Sequence, residues 1–133
     1  MNKSYKVLVR HNKQLWSWSI GRGPNGKGNN VRYMKNKWTK RPKYSGPLAL
    51  FSDIYSAIKF VICNTVNMKD CVKVVIYVCD YKESGDNILW TEYNELPKHM
   101  LPLGTVLANE VMITESKYVY RIEDSHAILI KGY

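Results

Sequence analysis

No aspartate or glutamate occurs before Asp53. Over the same stretch stand twelve cations, Lys3, Lys6, Arg10, Lys13, Arg22, Lys27, Arg32, Lys35, Lys37, Lys40, Arg41 and Lys43. The chain holds twenty Lys and Arg, so eight remain beyond residue 52 against all eleven acids. The N-terminal part therefore carries +12 and the rest −3, within a net +9. Such an imbalance favours an anionic ligand for the N-terminal part.

Other absences narrow the class further. Cysteines are few and odd in number, Cys63, Cys71 and Cys79, with no C-x-x-C, so neither a disulfide framework nor a zinc knuckle is expected. No apolar run approaches the ~20 residues of a membrane-spanning helix. The opening MNKSYKVLVRH lacks the apolar centre of a signal peptide, so a cytoplasmic protein without a membrane partner is expected. There is no H-E-x-x-H and no G-x-S-x-G, and His11, His99 and His126 stand apart from carboxylates in sequence. No catalytic residue, metal ligand or cofactor motif is assigned. Glu92 and Glu95, the one close glutamate pair in a structured region, are read as a solvated pair at a strand end.

What is present is enough for one globular domain. The 133 residues are 45% hydrophobic, with ten Tyr and four Trp, and no internal repeat divides residues 1–133. Tyr5 to Arg10 is a β-branched run, and His11-Asn12-Lys13 turns it into Gln14 to Ile20. There Trp16, Trp18 and Ile20 alternate against Leu15, Ser17 and Ser19, and the tryptophan face is expected in the core. Residues 21–30, GRGPNGKGNN, hold too many breakers for regular structure and read as an exposed loop.

One main helix is expected over about residues 53–63, capped by Ser52 or Asp53, with Ile54, Ala57, Ile58, Val61 and Ile62 on its apolar stripe. Residues 72–80, VKVVIYVCD, are apolar on both alternating faces and predict a central strand, with 88–93 as its partner. Leu96 to Leu101, between two prolines, has room for at most a helical turn. Residues 106–114, 118–122 and 126–131 read as three further strands. The expected fold is α+β, a largely antiparallel sheet of six to eight strands packed with one main helix.

The candidate site lies between Gly21 and Tyr44, where cations alternate with aromatic rings. Arg22, Lys27, Arg32, Lys35, Lys37, Lys40, Arg41 and Lys43 are placed to follow phosphates, and Tyr33, Trp38 and Tyr44 to stack on bases. Gly21 to Lys27 matches G-x-x-x-x-G-K, but Gly28 replaces the Ser or Thr that would hold magnesium and no apolar helix follows. Backbone N–H groups of this loop, with Arg22 and Lys27, remain able to close over a phosphate. The bland alternative is a solvated charged face with no ligand.

In element order, the helix followed by VVIYVCDY and later by LANEV resembles ADP-ribosyltransferase-like folds, without a matching catalytic triad. In size and composition the chain resembles the small basic proteins of phages and mobile elements, whose cytoplasm would be that of the host cell. Three functions follow in order. The first is a non-catalytic binding protein for nucleic acid or a nucleotide signal. The second is a counter-defence inhibitor docking on an acidic host protein surface. The third is a small nucleotide-acting enzyme.

Overall fold

A computed structural model describes the chain over residues 3–17, 31–42, 46–66, 68–90 and 95–133. The strands are β1 Ser4–His11, β2 Gln14–Ser17, β3 Arg32–Tyr33, β4 Trp38–Lys40, β5 Leu48–Phe51, β6 Lys73–Glu83, β7 Ile88–Trp90, β8 Glu95–Pro97, β9 Thr105–Glu123 and β10 His126–Gly132. Among the described residues one helix, α1 Ile54–Cys63, lies between β5 and β6, and Lys98–Met100 make a single 3-10 turn. This is the expected α+β domain, one helix against an antiparallel sheet of eight strands.

Two tight turns are chemically explicit. Asn12 and Lys13 (φ 50° and 64°) join β1 to β2, and Asp124 and Ser125 (φ 47° and 62°) join β9 to β10. Left-handed conformations at both central residues match the right-handed twist of the paired strands, and Asn and Asp tolerate them best among non-glycine residues.

The central strand β6 is flanked by β1, with Val7 opposite Ile76, and by β9, with Val75 opposite Val119. Strand β9 is 19 residues long, so its far edge seats three strands in turn. These are β5 at residues 105–108, β4 at 110–112 and β10 at 118–123. Because β5 also meets β1 through Phe51 and Tyr5, the pairings β1–β6–β9–β5–β1 close into a ring. Register shifts along β6 and β9 at Ile76/Tyr77, Val78/Cys79 and Lys82/Glu83 supply the bends that closure requires.

Three expectations change here. Residues 106–114 and 118–122 are one strand, because Glu115 and Ser116 stay paired with Val78 and Tyr77 despite their polar side chains. Of the expected strand 88–93, Ile88–Trp90 pairs with β8 in a separate ribbon, since both edges of β6 are already taken, and 91–93 fall outside the described residues. In β2 it is Leu15 that packs on the core, while Trp16 lies half-buried on the other face; Trp18 and Ile20 fall outside the described residues.

The apolar residues separate onto the two faces of the curled sheet. The inner face collects Leu8, Leu50, Val75, Tyr77, Val111 and Ile113, and the outer face carries Val7, Val74, Ile76 and Ile122 beneath Ala57 and Val61 of α1. Asp53 caps the helix: Oδ1 accepts from Ser56 N and Oδ2 from the Ser56 hydroxyl, both at 2.8 Å. Those bonds hold its carboxyl below the usual carboxylate range, a contribution present above that range and lost as pH falls through the lowered value. Asp53→Ala should cost about 1 kcal/mol, read as a lower denaturant midpoint at an unchanged slope. Gly104, at φ 87°, lies against this cap, where a Cβ would stand 2.5 Å from Ser56 Oγ. Ile62, expected on the apolar stripe, is 59% exposed. It and Phe60 flank Val61 at about 100° on either side. The helix leans toward Phe60, whose ring lies 5.2 Å from that of Phe51.

Candidate phosphate-binding surface

Alternation along β3 sends Tyr33 inward and leaves Arg32 exposed. Lys37 N donates to Met34 O at 3.2 Å, closing a turn in which Asn36 takes φ 63°. Asn36 N donates to Ile113 O at 2.8 Å and pins this turn to β9, so Lys35 and Lys37 project into solvent from a fixed base. Beyond it, Trp38 and Lys40 share the outward face of β4, opposite Met112 and Glu110 of β9.

The same register brings β6 into the site. Asp80 lies opposite Met112 and Lys82 opposite Glu110, forming the rows Trp38–Met112–Asp80 and Lys40–Glu110–Lys82 on one face. Lys82 Nζ stands 3.1 Å from Glu110 Oε2 and 4.6 Å from the centroid of the Trp38 ring. Lys82 is a residue that sequence reasoning missed, and no local signal marks it, because its place beside Trp38 depends on two strand registers. The acids Glu110 and Asp80 offset the charge of Lys40 and Lys82, so the surplus is concentrated on Arg32, Lys35 and Lys37. Trp38, 41% exposed, sits at the margin of that surplus with Lys82 over its ring.

Two predicted contacts leave the surface. Tyr33 is only 2% exposed, and its buried hydroxyl has no hydrogen-bond partner among the described residues, so its ring cannot stack on a base. Its position on the inward face of a two-residue strand decides this, where the sequence showed only an aromatic beside an arginine. Arg41 is engaged internally: its Nη1 lies 2.5 Å from Asp86 Oδ2 and 3.0 Å from Asn109 Oδ1, and its backbone N donates to Asn109 O at 2.8 Å. The Ser84 hydroxyl and Arg41 hold the Asp86 carboxyl below its ordinary range. Arg22, Lys27, Lys43 and Tyr44, with the glycine-rich segment 21–30, lie outside the described residues. Of the predicted set, Arg32, Lys35, Lys37, Trp38 and Lys40 are carried by β3, β4 and the turn between them.

Lys6 also departs from the electropositive surface. It alternates with Ser4 and Leu8 on the inner face of β1 and is 6% exposed. Its Nζ donates to Ala49 O at 2.5 Å and stands 5.3 Å from the centroid of Tyr33. Burial pulls the amine down to about 8, partly opposed by the Cys79 thiolate form, and burial pushes the Cys79 thiol up to about 12. Burial likewise pushes the Tyr33 phenol up. An amine, a phenol and a thiol thus share the interior, all three buried.

Among the described residues no three His, Cys, Asp or Glu gather into a metal-binding group. Glu95 and His99 are exposed, and His126 Nδ1 lies 2.7 Å from Asp124 O. Among the described residues no helix is long and apolar enough to cross a membrane. Comparison with protein-family models, curated proteins and solved structures finds no match to this chain.

Proposed function

We propose that the protein is a binding module whose β3–β4 surface engages a phosphate-bearing ligand, with nucleic acid first and a nucleotide second. The supporting observation is the surplus of Arg32, Lys35 and Lys37 on a turn pinned to β9, beside the half-exposed ring of Trp38. Cations on a fixed base suit a phosphodiester chain, and the exposed part of the Trp38 ring, with Lys82 over it, is offered to a base. Arg41 serves the reading indirectly, by tying the end of β4 to Asp86 and Asn109.

Oligonucleotide titrations at several salt concentrations test this. Neutralising phosphates releases condensed counterions, so log K falls against log salt with slope about −0.9 per contact on duplexes and about −0.7 on single strands. Replacing Arg32, Lys35, Lys37 and Lys40 together by Ala should weaken binding to every sequence and flatten the slope by about 3. Trp38→Ala should weaken it by ~1–3 kcal/mol with little change of slope, because stacking releases few ions. Dissociation constants weaker than about 10⁻⁴ M for every strand and duplex near physiological salt would remove nucleic acid as the ligand. Nucleotides, and then an acidic protein surface, would take its place.

A further inference from the structure

The strand pairings align one row of residues across six strands, running Tyr33, Leu15, Arg10, Lys73, Arg121, Ile128. Directly opposed residues point to the same side of a sheet, their Cα atoms about 4.5–5.5 Å apart. The middle three are cations on three adjacent strands. They continue the inner face, each two residues along its strand from Leu8, Val75 or Val119. Lys131, opposite Val119, stands one row over on the same side. At this end of the sheet the apolar interior gives way to a cationic margin, where Lys73 is exposed and Arg10 and Arg121 are half-buried.

Like charges directly opposed across strands destabilise a sheet, so the row calls for an anion. The protein supplies one. Glu123 Oε1 lies 2.7 Å from Arg121 Nε as an ion pair, at an angle that makes no hydrogen bond, and among the described residues this buried N–H has no acceptor. Among the described residues Arg10, Lys73 and Lys131 form no salt bridge with an acid. The C-terminal Tyr133 also stands here. Its backbone N donates to Lys117 O at 3.0 Å, and Lys131 Nζ lies 4.6 Å from its ring centroid. Hydrogen bonds from Lys131 and Ser116, with the charges of Lys131 and Arg10, pull its phenol below the ordinary value.

We propose that Arg10, Lys73 and Arg121, with Lys131 beside them, bind a compact dianion of the phosphate-monoester class. Two guanidinium groups present planar forks suited to phosphate oxygens, and the two ammonium groups add point charge. With Glu123 matching Arg121, the surplus suits a doubly charged group better than a single phosphodiester. This site shares no residue with the β3–β4 surface and does not rest on it.

The test is thermal unfolding with inorganic phosphate, against chloride at the same ionic strength. At phosphate tenfold above its dissociation constant, Tm should rise by about 5 °C beyond the chloride control. Lys73→Gln, and independently Arg10→Gln, should abolish that rise while leaving Tm without phosphate unchanged or higher, since each relieves repulsion. That pair of signs separates a ligand site from a structural role, which would lower Tm in the absence of ligand. Lys35→Ala with Lys37→Ala should keep the full rise. A 5′-phosphorylated oligonucleotide that reproduces it, where the unphosphorylated strand does not, would identify a nucleic-acid end as the source; free phosphate acting alone would identify a small metabolite. No phosphate-specific rise in the unaltered protein overturns the proposal. So does a rise that survives Lys73→Gln and Arg10→Gln, or one lost only with Lys35 and Lys37.

Discussion

Ile76→Ala should lower the free energy of unfolding by about 2–5 kcal/mol, through lost burial and the cavity left behind. Ile76 is fully buried in β6, between Val7 of β1 and Tyr118 of β9, on the face that α1 covers with Ala57 and Val61. Strand pairing on both sides and the helix above limit how far the site can collapse, which places the cost toward the upper part of that range. The loss should be read as a lower denaturant midpoint with an unchanged slope. Ile62→Ala, on the exposed flank of α1, should stay within about 0.5 kcal/mol and serves as the control. A change of that small size at Ile76 would remove the assignment of β6 as a strand covered on both faces.

The free-energy difference between Lys6→Met and the unaltered protein should shift by about 3 kcal/mol between pH 7 and pH 10.5, in favour of the unaltered protein at the higher pH. The sign follows from where the protons sit. Burial holds the folded amine at about 8 against an ordinary 10.5. Below about 8 both states carry the charge, and the folded state bears the desolvation cost. Between 8 and 10.5 the unfolded chain binds the proton and the folded chain does not, so stability rises with pH. Above 10.5 the cost is gone. Cys79, pushed up to about 12, and Tyr33, also pushed up, act the other way, because the unfolded chain loses their protons first. Their contribution makes stability fall as pH rises through the ordinary thiol and phenol values. Comparing the two proteins at each pH, by denaturant unfolding, isolates the lysine. A constant difference across this range would place the Lys6 amine in water rather than beside Ala49 O.

The local elements were legible wherever a short-range rule decides them. The i, i+3, i+4 spacing from Ile54 to Val61 and the carboxylate of Asp53 are enough to start and orient α1. The double alternation over residues 72–80 marks a strand covered on both sides, and two-residue turns at Asn12-Lys13 and Asp124-Ser125 follow from turn chemistry. Errors fell where pairing partners decide. Glu115-Ser116-Lys117 has the look of a break, but β6 keeps β9 continuous through it. Ile88 begins a plausible partner for β6, but β1 and β9 already occupy both edges. Leu15 and Trp16 exchanged roles because alternation along one strand cannot say which face the rest of the sheet will cover.

Charge divides along the same line. Composition alone determined that the first 52 residues carry twelve cations and no acid. Tertiary structure alone decided which of those cations meet solvent. Lys6 is sealed in the interior, Arg41 is held by Asp86, and Arg10 is set in line with Lys73 and Arg121 from the opposite half of the chain. Glu110, distant in sequence, comes to lie opposite Lys40, and Asp80 joins the row of Trp38 across Met112. The physical reason is that burial and charge pairing depend on strand register, which joins residues tens of positions apart, whereas helix periodicity, capping and turn chemistry act within a few residues of the chain.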